Sequence, residues 1–261
     1  MAHDHMIEML DLDAEVLHEY HSELIAWVGR EAAGHPHVVD LGAGSGTGTL
    51  ALARELPGSR VTAVDVSADM LAHLRSRAEA AGLADRIDVV EADLDQPWPD
   101  FGPVDVIWAA SSMHHMADPA RALASAFATL RPGGLLVIAE LDSFPRFLTG
   151  TPDEALEDRG HVAADKRRHE AGLHMHENWG DRIRQAGFTE VTERHFAIDL
   201  RAPLPEAAAR YAAVTLQRMR EGLAEQLSEA DRAALNEVVA GLATRDDLSV
   251  RTDRTVWLAR R

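Results

Sequence analysis

A glycine-dense turn follows an apolar segment and is the part of the chain best suited to bind a ligand. The segment Val38–Gly48 reads VVDLGAGSGTG, with glycines at positions 42, 44, 46 and 48. Glycine adopts positive φ values and lets the backbone approach a ligand closely. No register of these glycines gives the G-x-G-x-x-G pattern of dinucleotide-binding turns, because the third position falls on Thr47 or Thr49. The turn therefore predicts a different nucleoside cofactor.

Acidic and polar residues follow the next apolar segments at the points where those segments end. Asp65 closes the second predicted strand, Asp93 and Leu94 follow the third, and the run Ala109–His115 follows the fourth. In an open α/β sheet, ligands bind beyond the carboxyl ends of parallel strands. An acidic side chain after the second strand can accept hydrogen bonds from two ribose hydroxyls. The joint placement of these residues predicts one nucleoside site.

Two motifs carry a family resemblance. Residues from Asp40 to Gly46 form the pattern D-x-G-x-G-x-G, and Leu130–Glu140 reads LRPGGLLVIAE. Both resemble the class I S-adenosylmethionine (SAM) dependent methyltransferases, and the core is similar to that of the ubiquinone and menaquinone methyltransferases. The similarity extends motif by motif over roughly residues 36–142, and outside that stretch it is topological only.

The resemblance implies a role for individual residues. The acid that matches Asp65 holds the ribose of SAM. The acid that matches Asp93 binds the adenine amino group, and the next backbone N–H meets the ring. The acid that matches Asp40 and the carbonyls near Ala109 and Ala110 face the methionine ammonium. The complete set of expected cofactor-binding residues is Asp40, Gly42, Gly44, Gly46, Asp65, Val66, Asp93, Leu94, Ala109 and Ala110.

Three histidines are candidates for the catalytic base. Methyl transfer from a sulfonium is an in-line displacement that depends on near-attack geometry and requires no covalent residue. A hydroxyl, protonated amine or acidic carbon must lose a proton, and histidine is the natural base near neutral pH. His114 and His115 follow the fourth strand, and His174 is expected at a helix over about 176–186. The alternatives are a helix cap or packing under the cofactor for the first two, and a solvated helix face for His174.

The histidine pair at positions 174 and 176 does not predict a metal site. On a helix, the two rings of an H-x-H pair point in different directions, and no cysteine or compact acidic triad joins them. The only acid soon after the fourth strand is Asp118. We therefore expect no metal ion.

Composition limits the partners. The chain has 261 residues, a net charge of −17 and no cysteine. Because the acids are spread along the chain, its field should repel nucleic acid. The first residues have neither the basic region nor the apolar core of a signal peptide, and the chain has no run of about 18 apolar residues that a membrane span would need. We expect a cytoplasmic protein that contacts neither nucleic acid nor membrane, and a homodimer remains an open alternative.

Alternating strands and helices must position these residues. Strands are predicted at 38–42, 60–66, 86–92, 104–110, 135–140, 188–200 and 249–259. This alternation indicates an open parallel sheet covered on both faces. The resemblance implies a doubly wound, Rossmann-like α/β sheet of seven strands in the order 3-2-1-4-5-7-6, with the last strand antiparallel.

The remaining segments are expected to form a helical cap on a single methyltransferase domain spanning residues 1–261. The cap consists of an N-terminal helix over 11–33, an insertion at 143–170 and a helical pair at 203–247, and no ordered element is predicted before it. Large apolar residues in these segments favour an enclosed pocket for a small organic molecule.

These patterns predict a SAM-dependent methyltransferase acting on an oxygen, nitrogen or carbon atom of a small molecule, with S-adenosylhomocysteine as the product. One alternative is a cyclase or isomerase that keeps the SAM fold and uses bound SAM only as a positive charge. The other is a SAM-binding module without catalysis.

Overall fold

A computed structural model describes residues 2–32 and 34–261 of the chain. Within these residues the backbone forms seven strands and nine α-helices. The strands are β1 (His37–Leu41), β2 (Arg60–Asp65), β3 (Ile87–Glu91), β4 (Val104–Ala110), β5 (Leu130–Leu141), β6 (Thr189–Leu200) and β7 (Val250–Arg260). The helices are α1 (Ala2–Val16), α2 (His18–Glu31), α3 (Thr47–Glu55), α4 (Ala68–Ala80), α5 (Pro119–Thr129), α6 (Glu154–Glu170), α7 (Trp179–Gln185), α8 (Ala208–Gly222) and α9 (Glu229–Gly241).

The strands form one sheet in the order β3-β2-β1-β4-β5-β7-β6. Strand β1 pairs in parallel with β2 and β4, and the pairs β2–β3 and β4–β5 are also parallel. Strand β7 is antiparallel to β5, because Arg261 donates to Gly134 at one end and Asp142 donates to Asp253 at the other. The predicted fold, including the strand order and the antiparallel last strand, is confirmed.

Three helices begin at side chains that cap their first turn. The side chains of Ser67, Asp118 and Ser228 each accept a hydrogen bond from the backbone N–H three residues on, at 3.3, 3.1 and 3.0 Å. Such caps satisfy N–H groups that have no partner inside the helix. Helices α4, α5 and α9 therefore start where the sequence predicts.

The core of the sheet is apolar on both faces. Val38 and Val39 of β1 and Ile107 of β4 have no exposed surface. A parallel strand covered on both sides is expected to be continuously apolar, as these strands are. Trp179 and Ile183 of α7 belong to the same apolar core cluster as Val39 and Ile107. Within the described residues, no helix is both long and apolar enough to cross a membrane.

The chain divides into two compact units. The helical unit comprises the residues up to His18, Asp142–Leu173 and Ala197–Arg254, and the sheet unit comprises Glu19–Leu141, His174–Phe196 and Thr255–Arg261. The segments 143–170 and 203–247, which were expected to form the cap, both belong to the helical unit. The predictions that these segments cover the core and that the chain is a single domain both stay predictions.

The N-terminal helix differs from its prediction. Helix α1 already begins at Ala2, and the expected helix over 11–33 is broken at Leu17 into α1 and α2. The break allows the consecutive side chains of Val16 and Leu17 to be buried together, at 2 % exposure each. Ala33, the last residue of the predicted helix, lies outside the described residues.

Two further boundaries are corrected. Strand β5 begins at Leu130 rather than 135, and a shift in its register with β4 between Val104 and Val106 accommodates the earlier start. Helix α7 begins at Trp179 because the side chain of Asn178 caps it by accepting from a backbone N–H at 3.1 Å. His174 therefore lies in the turn before the helix and not on it.

Candidate active site

The glycine turn after β1 has the geometry that only glycine tolerates. Gly42, Gly44 and Gly46 have φ values of 70°, 53° and 87°. A Cβ atom on Gly42 would lie 2.6 Å from the Cβ of Ser112, and one on Gly46 would lie 2.5 Å from Leu74 Cγ. These glycines therefore fulfil both a conformational and a packing requirement.

Asp65 ties this turn to the end of β2. One of its carboxylate oxygens accepts from the backbone N–H of Gly44 at 2.8 Å, and the other accepts from the N–H of Ser67 at 2.8 Å. Each oxygen keeps a further lone pair for a ligand hydroxyl. Val66, the next residue, is 68 % exposed, which is unusual for a large apolar side chain. Both residues belong to the expected cofactor-binding set and lie at the carboxyl end of β2.

Asp40 is buried beneath the turn. Its side chain is 2 % exposed and accepts a hydrogen bond of 2.6 Å from the hydroxyl of Thr49. Burial is the main reason that the pKa of this carboxyl is raised to about 7; the hydrogen bond from Thr49 opposes the rise, and the charge of Asp65 adds to it. A cationic group nearby would favour the ionised form.

Trp108 of β4 lies beside Asp40, because the two residues are paired in the register of β1 and β4. The indole is 2 % exposed, and its Nε1–H has no partner among the described residues. A Cβ atom on Gly48 would be 2.8 Å from this nitrogen and 3.4 Å from an Asp40 oxygen. An unpaired indole donor and a carboxyl whose pKa is raised by burial thus lie side by side, and a ligand cation there would pair with the carboxyl.

The third strand contributes Asp93 and Leu94. The backbone N–H of Ala92 donates to the Asp65 carbonyl at 3.0 Å, which brings the end of β3 alongside the end of β2. The Asp93 carboxylate accepts from the N–H of Asp95 at 2.9 Å, and Leu94 is 8 % exposed. Both residues therefore lie at the same edge of the sheet as Asp65.

The end of β4 is tied to both neighbouring strands. After Ala109 and Ala110, the N–H of Ser111 donates to Ala139 of β5 at 2.7 Å, and the hydroxyl of Ser112 donates to the Leu41 carbonyl at 2.7 Å. Ser111 has a φ of 52°, which is uncommon for a residue other than glycine. This sharp turn directs the following residues, 112–116, back over the edge of the sheet.

His114 is paired with a buried carboxylate. Its Nδ1 lies 2.6 Å from Glu140 Oε2, and the two side chains are 6 % and 5 % exposed. The other carboxylate oxygen of Glu140 accepts from the N–H of Met113 at 2.8 Å. Glu140 is a further candidate site residue that the sequence patterns do not indicate, although it stands near the end of β5, where ligands bind in sheets of this kind.

His115 has a different environment. Its ring centroid is 4.1 Å from that of His114, and the residue as a whole is exposed. Partial burial of the ring is the main cause that lowers its pKa to about 4, and the neighbouring His114 adds to the effect. His115 is therefore neutral at physiological pH and is a weaker base than an ordinary histidine.

His174 reaches this cluster through its backbone. Its N–H donates to the carbonyl of His114 at 2.9 Å, while its ring faces Glu177 at 3.4 Å. Arg182 donates to the same glutamate at 2.9 Å and lowers its pKa, with a smaller effect from His174. In the described part of the chain, no group of three or more acidic or histidine side chains is arranged to hold a metal ion.

A family comparison agrees with this geometry. Residues 38–134 match the model of the methyltransferase domain family. The chain is 27 % identical over 205 residues to the 27-O-demethylrifamycin SV methyltransferase of Amycolatopsis mediterranei, a match that covers 78 % of this chain and 69 % of that protein. It is 38 % identical over 110 residues to the demethylmenaquinone methyltransferase of Thermus thermophilus, covering 42 % of this chain and 49 % of that protein.

The matched segment covers less than half of several other relatives, from 25 % to 44 % of their length. Among solved structures, the [4+2]-cyclase SpnF has a TM-score of 0.54 and 21 % identity, covering 92 % of this chain and 80 % of its own. At that identity the likeness shows the fold alone. The family match, the glycine turn and the confirmed sheet agree that residues 38–134 form a methyltransferase domain of the class I SAM-dependent type.

Proposed function

We propose that this protein transfers the methyl group of SAM to an oxygen, nitrogen or carbon nucleophile of a small organic molecule. The observation that carries the proposal is the bond from Gly44 to Asp65, which joins the glycine turn to the acid expected to bind ribose. Bound SAM supplies an electrophilic methyl group and leaves as S-adenosylhomocysteine.

The cofactor-binding roles follow the positions along the sheet edge. Asp65 accepts from the ribose hydroxyls, and the exposed Val66 lies against the adenine. Asp93 and the backbone N–H of Leu94 bind the edge of the adenine ring. The chain also provides the glycine turn of Gly42, Gly44 and Gly46, across which the backbone can approach the ligand closely.

The methionine end of SAM is assigned to Asp40 of β1 and to the end of β4. Asp40 pairs with the ammonium group, and the carbonyls of Ala109 and Ala110 accept from it. The burial and raised pKa of Asp40 support this assignment, because a cationic ligand group would stabilise the ionised carboxylate.

The catalytic role falls to the histidine cluster. His114 has a carboxylate partner that stabilises its protonated form, so it is the base that we favour. His115, with its pKa lowered to about 4, contributes a neutral ring beside the acceptor. His174 supports the cluster through its backbone bond to His114.

A labelled methyl group tests the proposal. The protein is incubated with [methyl-³H]SAM and a panel of small acceptors that begins with demethylmenaquinone and 27-O-demethylrifamycin SV, the acceptors that the relatives' names indicate. We expect tritium in a small-molecule product and an equal amount of S-adenosylhomocysteine. Failure of the protein to bind SAM would contradict the proposal.

A cyclase or isomerase is the second candidate, and the fold likeness to a [4+2]-cyclase is the observation that favours it. It predicts product formation without S-adenosylhomocysteine. A non-catalytic module is the third candidate. It predicts that replacing His114, His115 and His174 together changes no measurable activity.

A further inference from the structure

The contact between His114 and Glu140 connects two strand ends that are far apart in the chain. His114 lies in the turn after β4, and Glu140 lies near the end of β5, with 2.6 Å between Nδ1 and Oε2. Both side chains are almost completely buried. At this distance the pair shares a strong hydrogen bond that water does not weaken.

We propose that Glu140 is a positioning residue that holds His114 in the tautomer with hydrogen on Nδ1, so that Nε2 can remove a proton from the acceptor. This inference rests on the proposed methyl transfer. An ionised carboxylate is an acceptor only, so the ring nitrogen that faces it must be the donor. The lone pair of the neutral ring is then on Nε2.

The free nitrogen is available to a substrate. The Nε2 of His114 has no hydrogen-bond partner among the described residues. This atom is not completely sealed from solvent. The backbone is also fixed, because the His114 carbonyl accepts from the N–H of His174 at 2.9 Å. The ring is therefore held at Nδ1, while Nε2 is left without a protein partner on a side chain that is 6 % exposed.

The reaction step is balanced by this arrangement. With a hydroxyl acceptor, the oxygen forms a bond to the methyl carbon while the carbon–sulfur bond breaks, and the electron pair of the broken bond stays on sulfur. The hydroxyl proton moves to Nε2 of His114. The resulting imidazolium is stabilised by the Glu140 carboxylate until it loses a proton to solvent.

The need for a base points to the substrate class. A carboxylate or a neutral amine attacks a sulfonium without first losing a proton, so a histidine base with a carboxylate partner serves neither. A hydroxyl holds its proton at neutral pH and requires one. A protonated amine and an acidic carbon require one too, so we assign to this site a small molecule whose attacking atom must lose a proton.

Glu140→Gln gives a sharp test because the structure fixes the orientation of the new amide. Oε1 of residue 140 must still accept from the N–H of Met113, now 2.8 Å away, so the amide NH₂ must face His114. It then donates to Nδ1 and forces the hydrogen of the ring onto Nε2. The variant keeps the shape of the side chain and reverses the tautomer.

Nitrogen-15 NMR of the histidine rings reads the tautomer directly and needs no acceptor. We expect the Nδ1–H form in the wild type and in Glu79→Gln, a matched change on the exposed face of α4, and the Nε2–H form in Glu140→Gln. An Nε2–H form in the wild type, or the same tautomer in Glu140→Gln, overturns the proposal. If Glu140→Gln does not fold, the wild-type tautomer and Glu140→Asp, which keeps the Nδ1–H form, still decide.

Turnover provides the second arm. With the acceptor found by the tritium assay, kcat of Glu140→Gln should fall by about 100-fold or more, while its Kd for SAM stays within about twofold of the wild type. An unchanged kcat contradicts the positioning role. Absence of any methyl transfer in the wild type, with the expected tautomers, contradicts the proposed function and leaves the role of Glu140 in fixing the ring intact.

Discussion

The carboxylate of Asp65 accepts a hydrogen bond of 2.8 Å from the backbone N–H of Gly44. The bond joins the end of β2 to the glycine turn after β1, so the position of one sets the position of the other. A single side chain thus shapes the turn and carries the lone pairs that the proposed ribose contacts need. This relationship explains why both features of the sequence are found at one site.

The first prediction separates glycine's backbone freedom from its lack of a side chain. Gly42 and Gly82 have nearly the same φ, 70° and 68°, but a Cβ on Gly42 meets Ser112 at 2.6 Å whereas one on Gly82 meets nothing within 4 Å. We expect Gly82→Ala to lower the free energy of unfolding by about 1 kcal/mol through backbone strain alone. Gly42→Ala should cost about 2 kcal/mol more.

Urea denaturation of the two variants measures this difference, and SAM titration extends it. Only Gly42→Ala should weaken SAM binding, because only its strain falls on the glycine turn. Equal losses of stability in the two variants would contradict the close approach of Gly42 to Ser112.

The second prediction concerns the pH dependence of stability. The Asp40 carboxyl has a pKa of about 7 in the folded chain, against 3.8 as its ordinary value. Between these values the unfolded chain loses a proton that the folded chain keeps, so the contribution of Asp40 to stability falls as pH rises from about 4 to 7. Above pH 7 the full penalty of the buried charge is present.

Asp40→Asn removes this penalty and can keep the hydrogen bond from Thr49. Its free energy of unfolding relative to the wild type should be higher at pH 8 than at pH 4 by a few kcal/mol, on the order that the shift implies. The exposed Asp85→Asn is the control. A difference between Asp40→Asn and the wild type that does not vary with pH would show that the carboxyl titrates normally.

SAM affinity should depend on pH in the opposite direction to stability. Because the proposed ammonium contact needs an ionised Asp40, wild-type affinity should rise as pH increases through about 7. Asp40→Asn should bind SAM more weakly at pH 8 and lose the dependence on this group. Calorimetry at several pH values provides the measurement.

The third prediction distinguishes the adjacent histidines. His114→Ala removes the favoured base and should lower kcat by about 10² to 10⁴-fold with little change in SAM affinity. His115→Ala should lower kcat only a few-fold, because a ring with a pKa of about 4 is a weak base at neutral pH. His174→Ala keeps its backbone N–H to His114 and should also have a small effect. Initial rates at saturating SAM decide, and a larger loss in His115→Ala would reverse the assignment.

The strand ends could be predicted because their signals are local. The glycines at 42, 44 and 46 precede a helix, and Asp65 ends an apolar run, so each position follows from its neighbours in sequence. The rule that parallel strands share a carboxyl edge then brings them together. The structure places all of them at that edge.

Other features depend on contacts that have no local signal. Glu140 lies 26 residues from His114, and nothing in the sequence shows that the two side chains meet. The break at Leu17 has no proline or glycine and coincides with the burial of the consecutive residues Val16 and Leu17. The position of His174 before α7 depends on the cap at Asn178, and the spacing of apolar residues does not indicate where this cap lies.

Calorimetric titration of the wild type and Asp65→Ala with SAM tests the proposed site most directly, with Asp85→Ala as a control at the amino end of β3. The wild type and Asp85→Ala should bind SAM with the same Kd. Asp65→Ala should bind about 100-fold more weakly, because two hydrogen bonds to a charged acceptor are lost. No binding by the wild type, or an unchanged Kd in Asp65→Ala, would contradict the assignment of a SAM site at the carboxyl edge of this sheet.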